Sequence, residues 1–241
     1  DLAFLQDDID AGSWLSYPAG VDKNSLKVRC FNLEAHMVNV VTYQEESCSF
    51  VESFCRLAAV CKKADIIVLN ARPEFSSASK EGLMYCSGEK ELVKGAEYIY
   101  QELLKRNNDT KDAWEEGKEA PAYRKLLCIV NGYRDFVRCL PEEFLEKWNA
   151  MMERIADFWG CRFIIADGSL SLGSISAENW YGKQVGRNEG VFVGNGLTDQ
   201  YELSVTRLTR ELRQEIPDDF GYVVEKGRAH LVKLLDLEEE E

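Results

Sequence analysis

Short apolar runs alternate with longer segments of helical periodicity along most of the chain. Residues 37–41 form a run that is apolar except at Asn39, which is typical of a strand buried on both faces. In residues 49–63, Phe50, Phe54 and Leu57 share one side of a helix. The pattern predicts strands at 28–31, 37–41, 65–70, 126–130, 162–166, 190–194, 222–224 and 230–235, and helices at 49–63, 88–106 and 141–159. This order is typical of an α/β domain with a mostly parallel central sheet and helices on both faces.

Three parts of the chain show no clear period. Residues 1–22 contain Gly12, Pro18 and Gly20 and are expected to be irregular. Residues 107–120 are polar, which indicates a loop or a short exposed helix. Residues 167–188 are expected to be loosely structured.

Composition and charge narrow the class of protein. The chain has 241 residues, of which 45% are hydrophobic and 29% charged, so it is an ordinary globular sequence rather than a disordered one or a disulfide scaffold. A net charge of −13 disfavours free binding to nucleic acid. No apolar run is long enough to cross a membrane, and the first ten residues are too acidic for a signal peptide. Because the chain begins with Asp1, we expect it to be part of a longer protein.

The eight cysteines contain no C-x-x-C pair, and most lie in apolar runs. We interpret them as buried free thiols of a protein in a reducing cytoplasm. His36 and His230 are the two histidines, and neither has another potential ligand near it in sequence. The sequence therefore predicts no metal site of histidines and cysteines.

The loop after the strand at 37–41 has the position of a phosphate-binding loop between a strand and a helix. We assign Thr42, Gln44, Ser47, Cys48 and Ser49 to a vestigial phosphate loop. In the frame G-x-x-x-x-G-K-[ST], Thr42 and Ser47 replace the glycines, Cys48 replaces the lysine, and Ser49 keeps its type. Without those glycines the backbone cannot wrap phosphates, and two glutamates inside the loop add negative charge.

The strand at 126–130 has the position of the strand that holds Mg²⁺ and activates water in such folds. It ends in Asn131 and Gly132 instead of two acidic residues, and the nearest carboxylate is that of Asp135. We treat Asn131 as a vestigial member of the metal site. ATP hydrolysis by this chain alone is not expected. No cofactor is assigned firmly, and ATP with Mg²⁺ is the ligand that stays open.

Four segments carry a resemblance to a known family. GVFVGNGL at 190–197 resembles the family pattern G-[IV]-[WF]-[IV]-G-x-G-[IL], and FGYVVEKG at 220–227 resembles its closing segment. Residues 207–213 lie between these two segments, and residues 18–22 resemble the stretch that precedes each ATPase unit. Together they resemble the type VII (ESX-type) secretion ATPases of the FtsK class, the EssC family. The missing glycines, lysine and acids resemble the third, C-terminal and most degenerate of that family's tandem ATPase domains.

The resemblance implies a RecA-like P-loop NTPase fold in a motor that exports small helical WXG-type proteins and associated effectors. It implies neighbouring ATPase domains of the same chain as partners and a place at the cytoplasmic face of the bacterial cell membrane, reached only through a membrane-anchored parent. No nucleic acid is implied. We divide the chain into an N-terminal segment at 1–27 that packs on the domain, a degenerate RecA-like domain at 28–237 and an acidic tail at 238–241.

Two functions stay open at this stage. One is a hydrolysis-deficient unit for substrate recognition or regulation, and the other is an ATP-binding unit with weak or neighbour-completed hydrolysis. An unrelated Rossmann-like enzyme is disfavoured, since no G-x-G-x-x-G follows the first strand.

Three further features have both a functional and a structural interpretation. The turn at 194–196 either approaches a ligand or only reverses the chain. The arginines at 207, 210 and 213 form either a basic face that reaches a neighbouring unit or a solvated helix face. Trp180 and Tyr181 either anchor a helical peptide or belong to the core.

Overall fold

The computed structural model describes residues 5, 9–10, 12–44 and 49–237. The strands in this part are β1 Ser16–Asp22, β2 Val28–Asn32, β3 Val38–Tyr43, β4 Asp65–Asn70, β5 Met84–Ser87, β6 Leu126–Asn131, β7 Cys161–Gly168, β8 Val185–Val193, β9 Phe220–Glu225 and β10 Arg228–Leu234. The helices are α1 Ser49–Cys61, α2 Glu89–Glu115, α3 Tyr133–Cys139, α4 Glu142–Arg154, α5 Ser169–Ile175 and α6 Asn179–Gln184.

All ten strands belong to one sheet in the order β2-β1-β10-β9-β8-β3-β7-β6-β4-β5. The six strands from β8 to β5 run parallel to one another. The other four, β9, β10, β1 and β2, extend the sheet in antiparallel order. The predicted α/β class with a mostly parallel central sheet is confirmed.

Helices cover both faces of the sheet because strand side chains alternate between the faces. In β4, Ile67 and Leu69 join the cluster under α2 and α4, whereas Ile66 and Val68 join the cluster under α1. Burial of each such side chain contributes roughly 1.5–3 kcal/mol. The two clusters pack against the central strands from both faces and so fix where their carboxyl ends lie.

The expectation of an irregular N-terminal segment is wrong for residues 16–22. These residues form β1, which lies inside the sheet between β2 and β10. Pro18 and Gly20 are accommodated because the register of β1 with β2 shifts between them. The division of the chain after residue 27 stays a prediction, and the tail at 238–241 lies outside the described residues.

Helix boundaries differ from the predicted ones at three places. α2 continues to Glu115, because the buried Arg106 bonds to the backbone of Trp159 at 2.7 Å and Thr110 bonds to the hydroxyl of Tyr123 at 3.2 Å. α4 ends at Arg154, where Ile155 is extended. The region expected to be loose holds α5, α6 and the start of β8.

Candidate functional site

The carboxyl ends of β3, β7, β6 and β4 form one edge of the sheet, where ligands bind in open α/β folds. Thr42 lies opposite Asp167, and Asn131 lies opposite Asn70. The loop after β3 is thus at the carboxyl end of a central strand, as predicted. Asn131 is not directly beside Thr42, however, because β7 separates β6 from β3.

A buried carboxylate, that of Asp167, lies at the centre of this edge. Its oxygens accept hydrogen bonds from the backbone N–H groups of Arg134 and Gly168, each at 2.8 Å. Arg72 donates from Nη2 to Oδ1 of Asp167 at 2.5 Å and reaches Asp135 with Nη1 at 3.3 Å. Burial opposes the charge of Arg72, yet the pKa of Arg72 is raised because Tyr43 and the Asp167 carboxylate favour the cation. A guanidinium therefore neutralises the carboxylates of this edge.

Gly132, which follows β6, makes room for this guanidinium. Its backbone is left-handed, with φ of 77°. A Cβ at this position would lie 3.0 Å from Nε of Arg72. Glycine is thus favoured here both by the backbone and by the side chain that crosses it.

Asn131 takes part in a buried amide network rather than facing an open site. Its Nδ2 donates to Oδ1 of Asn70 at 2.8 Å. Asn70 in turn donates to the carbonyl of Pro73 at 2.9 Å and to the hydroxyl of Tyr85 at 2.7 Å. Neutral amides held in these bonds cannot replace the pair of carboxylates that holds Mg²⁺ in nucleotide-hydrolysing enzymes with such folds.

The described part of the vestigial phosphate loop consists of Thr42, Gln44 and Ser49. The Thr42 hydroxyl is buried and has no hydrogen-bond partner within the described residues. Gln44 is exposed and donates to the carbonyl of Gly196 at 3.3 Å. Ser49 begins α1. Ser47 and Cys48 lie outside the described residues, so their assignment stays a prediction.

The turn at 194–196 borders a cleft beside this loop. Gly194 and Gly196 have φ of 76° and 98°, and a Cβ on Gly196 would lie 2.3 Å from the Gln44 side chain. Asn195 accepts from the N–H of Ile216 at 2.8 Å and donates to its carbonyl at 3.1 Å. The cleft measures about 410 Å³ and also borders Arg213. The turn thus reverses the chain and also lines a cavity.

Two other predicted features have a structural role. Trp180 and Tyr181 are each 1% exposed, and the Tyr181 hydroxyl donates to the buried Glu202. They belong to the core, the second of the two interpretations, and Trp180 is not exposed to anchor a helical peptide. The arginines at 207, 210 and 213 do not share a helix face, because the only helical turn there is the short 3₁₀ segment Glu211–Arg213.

The remaining chemistry of the described residues is limited. All seven cysteines in this part are free, and desolvation by burial raises the pKa of the Cys55 and Cys86 thiols. No group of three or more histidine, cysteine, aspartate or glutamate side chains in this part could hold a metal ion. No helix in this part is long and apolar enough to cross a membrane.

Sequence comparisons find no relative, whereas solved structures match over nearly the whole chain. No protein-family model and no curated protein matches the sequence. The cytoplasmic domain of EssC has a TM-score of 0.77 at 14% identity, over 99% of this chain and 47% of that one. EssC (ATPases 2 and 3) from Geobacillus thermodenitrificans has a TM-score of 0.75 at 14% identity, over 99% and 44%. Thermomonospora curvata EccC (ATPases 2 and 3), in complex with a signal sequence peptide, has a TM-score of 0.64 at 15% identity, over 95% and 43%.

These similarities establish the fold. The chain has the fold of a P-loop NTPase domain, as predicted. More narrowly, this is the fold of the ATPase domains of EssC and EccC, and the chain spans less than half the length of those structures.

Sequence reasoning missed Arg72 and Asp167. Asp167 directly follows the predicted strand at 162–166, so the sequence could have predicted a carboxylate at the carboxyl ends of the central strands. The pairing of Asp167 with Arg72 could not be predicted from the sequence, since the two residues are 95 positions apart.

Proposed function

We propose that this chain is a C-terminal, hydrolysis-deficient ATPase domain of a type VII secretion motor that acts in substrate recognition or regulation of protein export. The similarity of fold to EssC and EccC over 95% to 99% of the chain supports the class. The pairing of Asp167 with Arg72 supports the loss of hydrolysis.

The physical argument concerns charge at the ligand edge. Hydrolysis of ATP needs a lysine on the phosphates and carboxylates that hold Mg²⁺. Here Cys48 has the lysine's position in the sequence, Asn131 bonds to Asn70, and the carboxylates of Asp167 and Asp135 contact Arg72. Each missing element normally contributes roughly 10³-fold to the rate.

The proposed partners are neighbouring ATPase domains of the same chain and exported small helical WXG-type proteins. Two similar structures contain ATPases 2 and 3 together, and one of them, EccC, binds a signal sequence peptide. In this proposal the domain lies at the cytoplasmic face of the membrane through its parent chain, and it binds no nucleic acid.

The first test is ATP turnover by the purified chain with Mg²⁺. We expect no turnover, and Ser49→Ala should change nothing. Turnover in the ordinary enzyme range that Ser49→Ala abolishes would show that hydrolysis is intact.

The second test deletes this domain from the full motor and follows secretion. If every substrate is exported at the normal level, the role in export is wrong.

A second candidate function is nucleotide binding with weak or neighbour-completed hydrolysis. The cleft of about 410 Å³ beside Gln44 favours it, as does the N-terminus of α1, which attracts anions. Calorimetric titration of the chain with Mg²⁺-ATP separates the two candidates. Binding that weakens in Gln44→Ala would support the second.

A further inference from the structure

A groove of about 310 Å³ runs between α2 and α4 on the face of the sheet opposite α1. Each helix lines it with side chains at helical spacing, so each contributes one ridge to the groove. From α2 these are Tyr100, Leu103, Leu104, Asn107 and Lys111, and from α4 they are Lys147, Ala150, Met151 and Arg154, with Trp159 also in the lining.

An exposed apolar surface continues from this groove. Leu104 in the lining is 39% exposed. Beside Trp159, Phe158 is 43% exposed and makes an edge contact with Trp114, which is 53% exposed, at 5.0 Å between ring centroids. A connected apolar surface with large exposed aromatic side chains is typical of a binding site rather than of ordinary surface.

The charged side chains that line the groove have one sign. Lys111, Lys147 and Arg154 line it, and no aspartate or glutamate is among its lining residues. Within the described residues none of these three cations forms an ion pair. On a chain of net charge −13, a cationic rim is opposite in sign to the molecule as a whole. This rim favours a partner that carries negative charge.

We propose that the groove between α2 and α4 docks an acidic amphipathic helix. The apolar side chains of the partner, at i, i+3, i+4 and i+7, lie on Tyr100, Leu104 and the exposed Phe158. Its carboxylates face Lys111, Lys147 and Arg154. The inference deepens the proposed function and rests on it for the expectation that a helical partner is bound.

The test uses a labelled synthetic helical peptide with leucine on one face and glutamate on the other, titrated with the purified chain by fluorescence anisotropy. We expect saturable binding that weakens with added salt, and little binding of the same peptide with lysine for glutamate. Reversing two rim charges, Lys111→Glu with Lys147→Glu, is expected to weaken binding by roughly tenfold or more.

Lys90→Glu with Lys105→Glu is the matched control, since it reverses two exposed lysines of α2 that lie outside the groove lining. It should leave binding unchanged. Leu104→Ser tests the apolar part of the groove and should weaken the same peptide. Thermal unfolding of each variant shows that it is folded.

Three results would overturn the proposal: no binding of the acidic peptide, equal binding of the lysine peptide, or binding that the rim reversal does not affect. Self-association that the rim reversal abolishes, without peptide binding, would assign the groove to a second copy instead.

The outcome of this test is separable from the outcome of the tests of the proposed function. Groove binding together with ATP turnover would contradict only the loss of hydrolysis, and normal export after domain deletion would contradict only the role in secretion.

Discussion

The guanidinium of Arg72 compensates a carboxylate that has no access to water. The side chain of Asp167 is 0% exposed and that of Arg72 is 21% exposed. In such a site the attraction between the charges is strong, but so is the penalty for leaving either one alone. The pair therefore acts as a structural connection between the ends of β4 and β7, which are not neighbours in the sheet.

Arg72→Met is expected to lower the free energy of unfolding by about 3 kcal/mol, because it leaves Asp167 buried and uncompensated. Urea denaturation measures the loss. Arg138→Met is the control, because its ion pair with Asp135 is exposed and should contribute less than about 1 kcal/mol. Similar losses in the two variants would mean that the buried pair has no special role.

Gly132→Ala should destabilise the protein more than Gly117→Ala. Both glycines are left-handed, with φ of 77° and 72°, so each alanine costs about 1 kcal/mol from the backbone. Only Gly132 has a neighbour, Arg72, within 4 Å of the added Cβ, which adds roughly 1 kcal/mol. Thermal or urea unfolding compares the two, and equal losses would show that Arg72 moves aside freely.

At the scale of elements, the turn between β1 and β2 depends on Asp22. Its carboxylate accepts the N–H of Ser25 at 2.8 Å and of Asn24 at 3.0 Å and pairs with Arg29 at 3.0 Å. The backbone hydrogen bond from Ser25 is the main cause that lowers the pKa of Asp22 to about 2, despite burial. A lowered pKa means that the ionised form is the one that stabilises the hairpin.

The contribution of Asp22 to stability is expected to depend on pH in the acid range. It is fully present above the unfolded pKa near 4 and is lost as the pH falls toward about 2, a change of roughly 2 kcal/mol. The free energy of unfolding of the native chain and of Asp22→Asn, measured from pH 6 to pH 2, gives this contribution as a difference. A difference that does not change with pH would contradict the lowered pKa.

Elements that are recognisable from their own residues were predictable from the sequence. Elements that depend on contacts with residues far away in the sequence were not. The apolar runs of β4 and β6 identify buried strands by themselves. β1 contains Pro18 and Gly20, and its place in the sheet depends on β10, which lies more than 200 positions later. The end of α2 is polar and becomes helical through contacts with Trp159 and Tyr123. At the ligand edge, the position of the loop was likewise predictable and the pairing of Arg72 with Asp167 was not.

At the scale of the whole molecule, one sheet joins two hydrophobic clusters. Phe54 on α1 belongs to one cluster, and Trp148 and Trp180 belong to the other. Because every central strand contributes to both clusters, neither face can lose its packing without disturbing the other. We therefore expect the two faces to unfold as one cooperative unit.

Phe54→Ala tests this expectation, since tryptophan fluorescence reports mainly the opposite face. The substitution should lower the free energy of unfolding by about 3–5 kcal/mol and shift the fluorescence and circular dichroism midpoints equally. Val60→Ala, at an exposed position of the same helix, should shift neither by much. A fluorescence midpoint that stays in place while the circular dichroism midpoint moves would indicate two independent units.

The position of β1 between β2 and β10 has a consequence for synthesis on the ribosome. Among the described strands, the β1–β2 hairpin forms backbone hydrogen bonds with the rest of the sheet only through β10. β1 is translated before every other described strand and β10 after them all. At usual elongation rates the nascent hairpin waits roughly 10 to 40 s for its partner. During that time it presents an unpaired edge to other chains, so we expect it to need shielding by a chaperone.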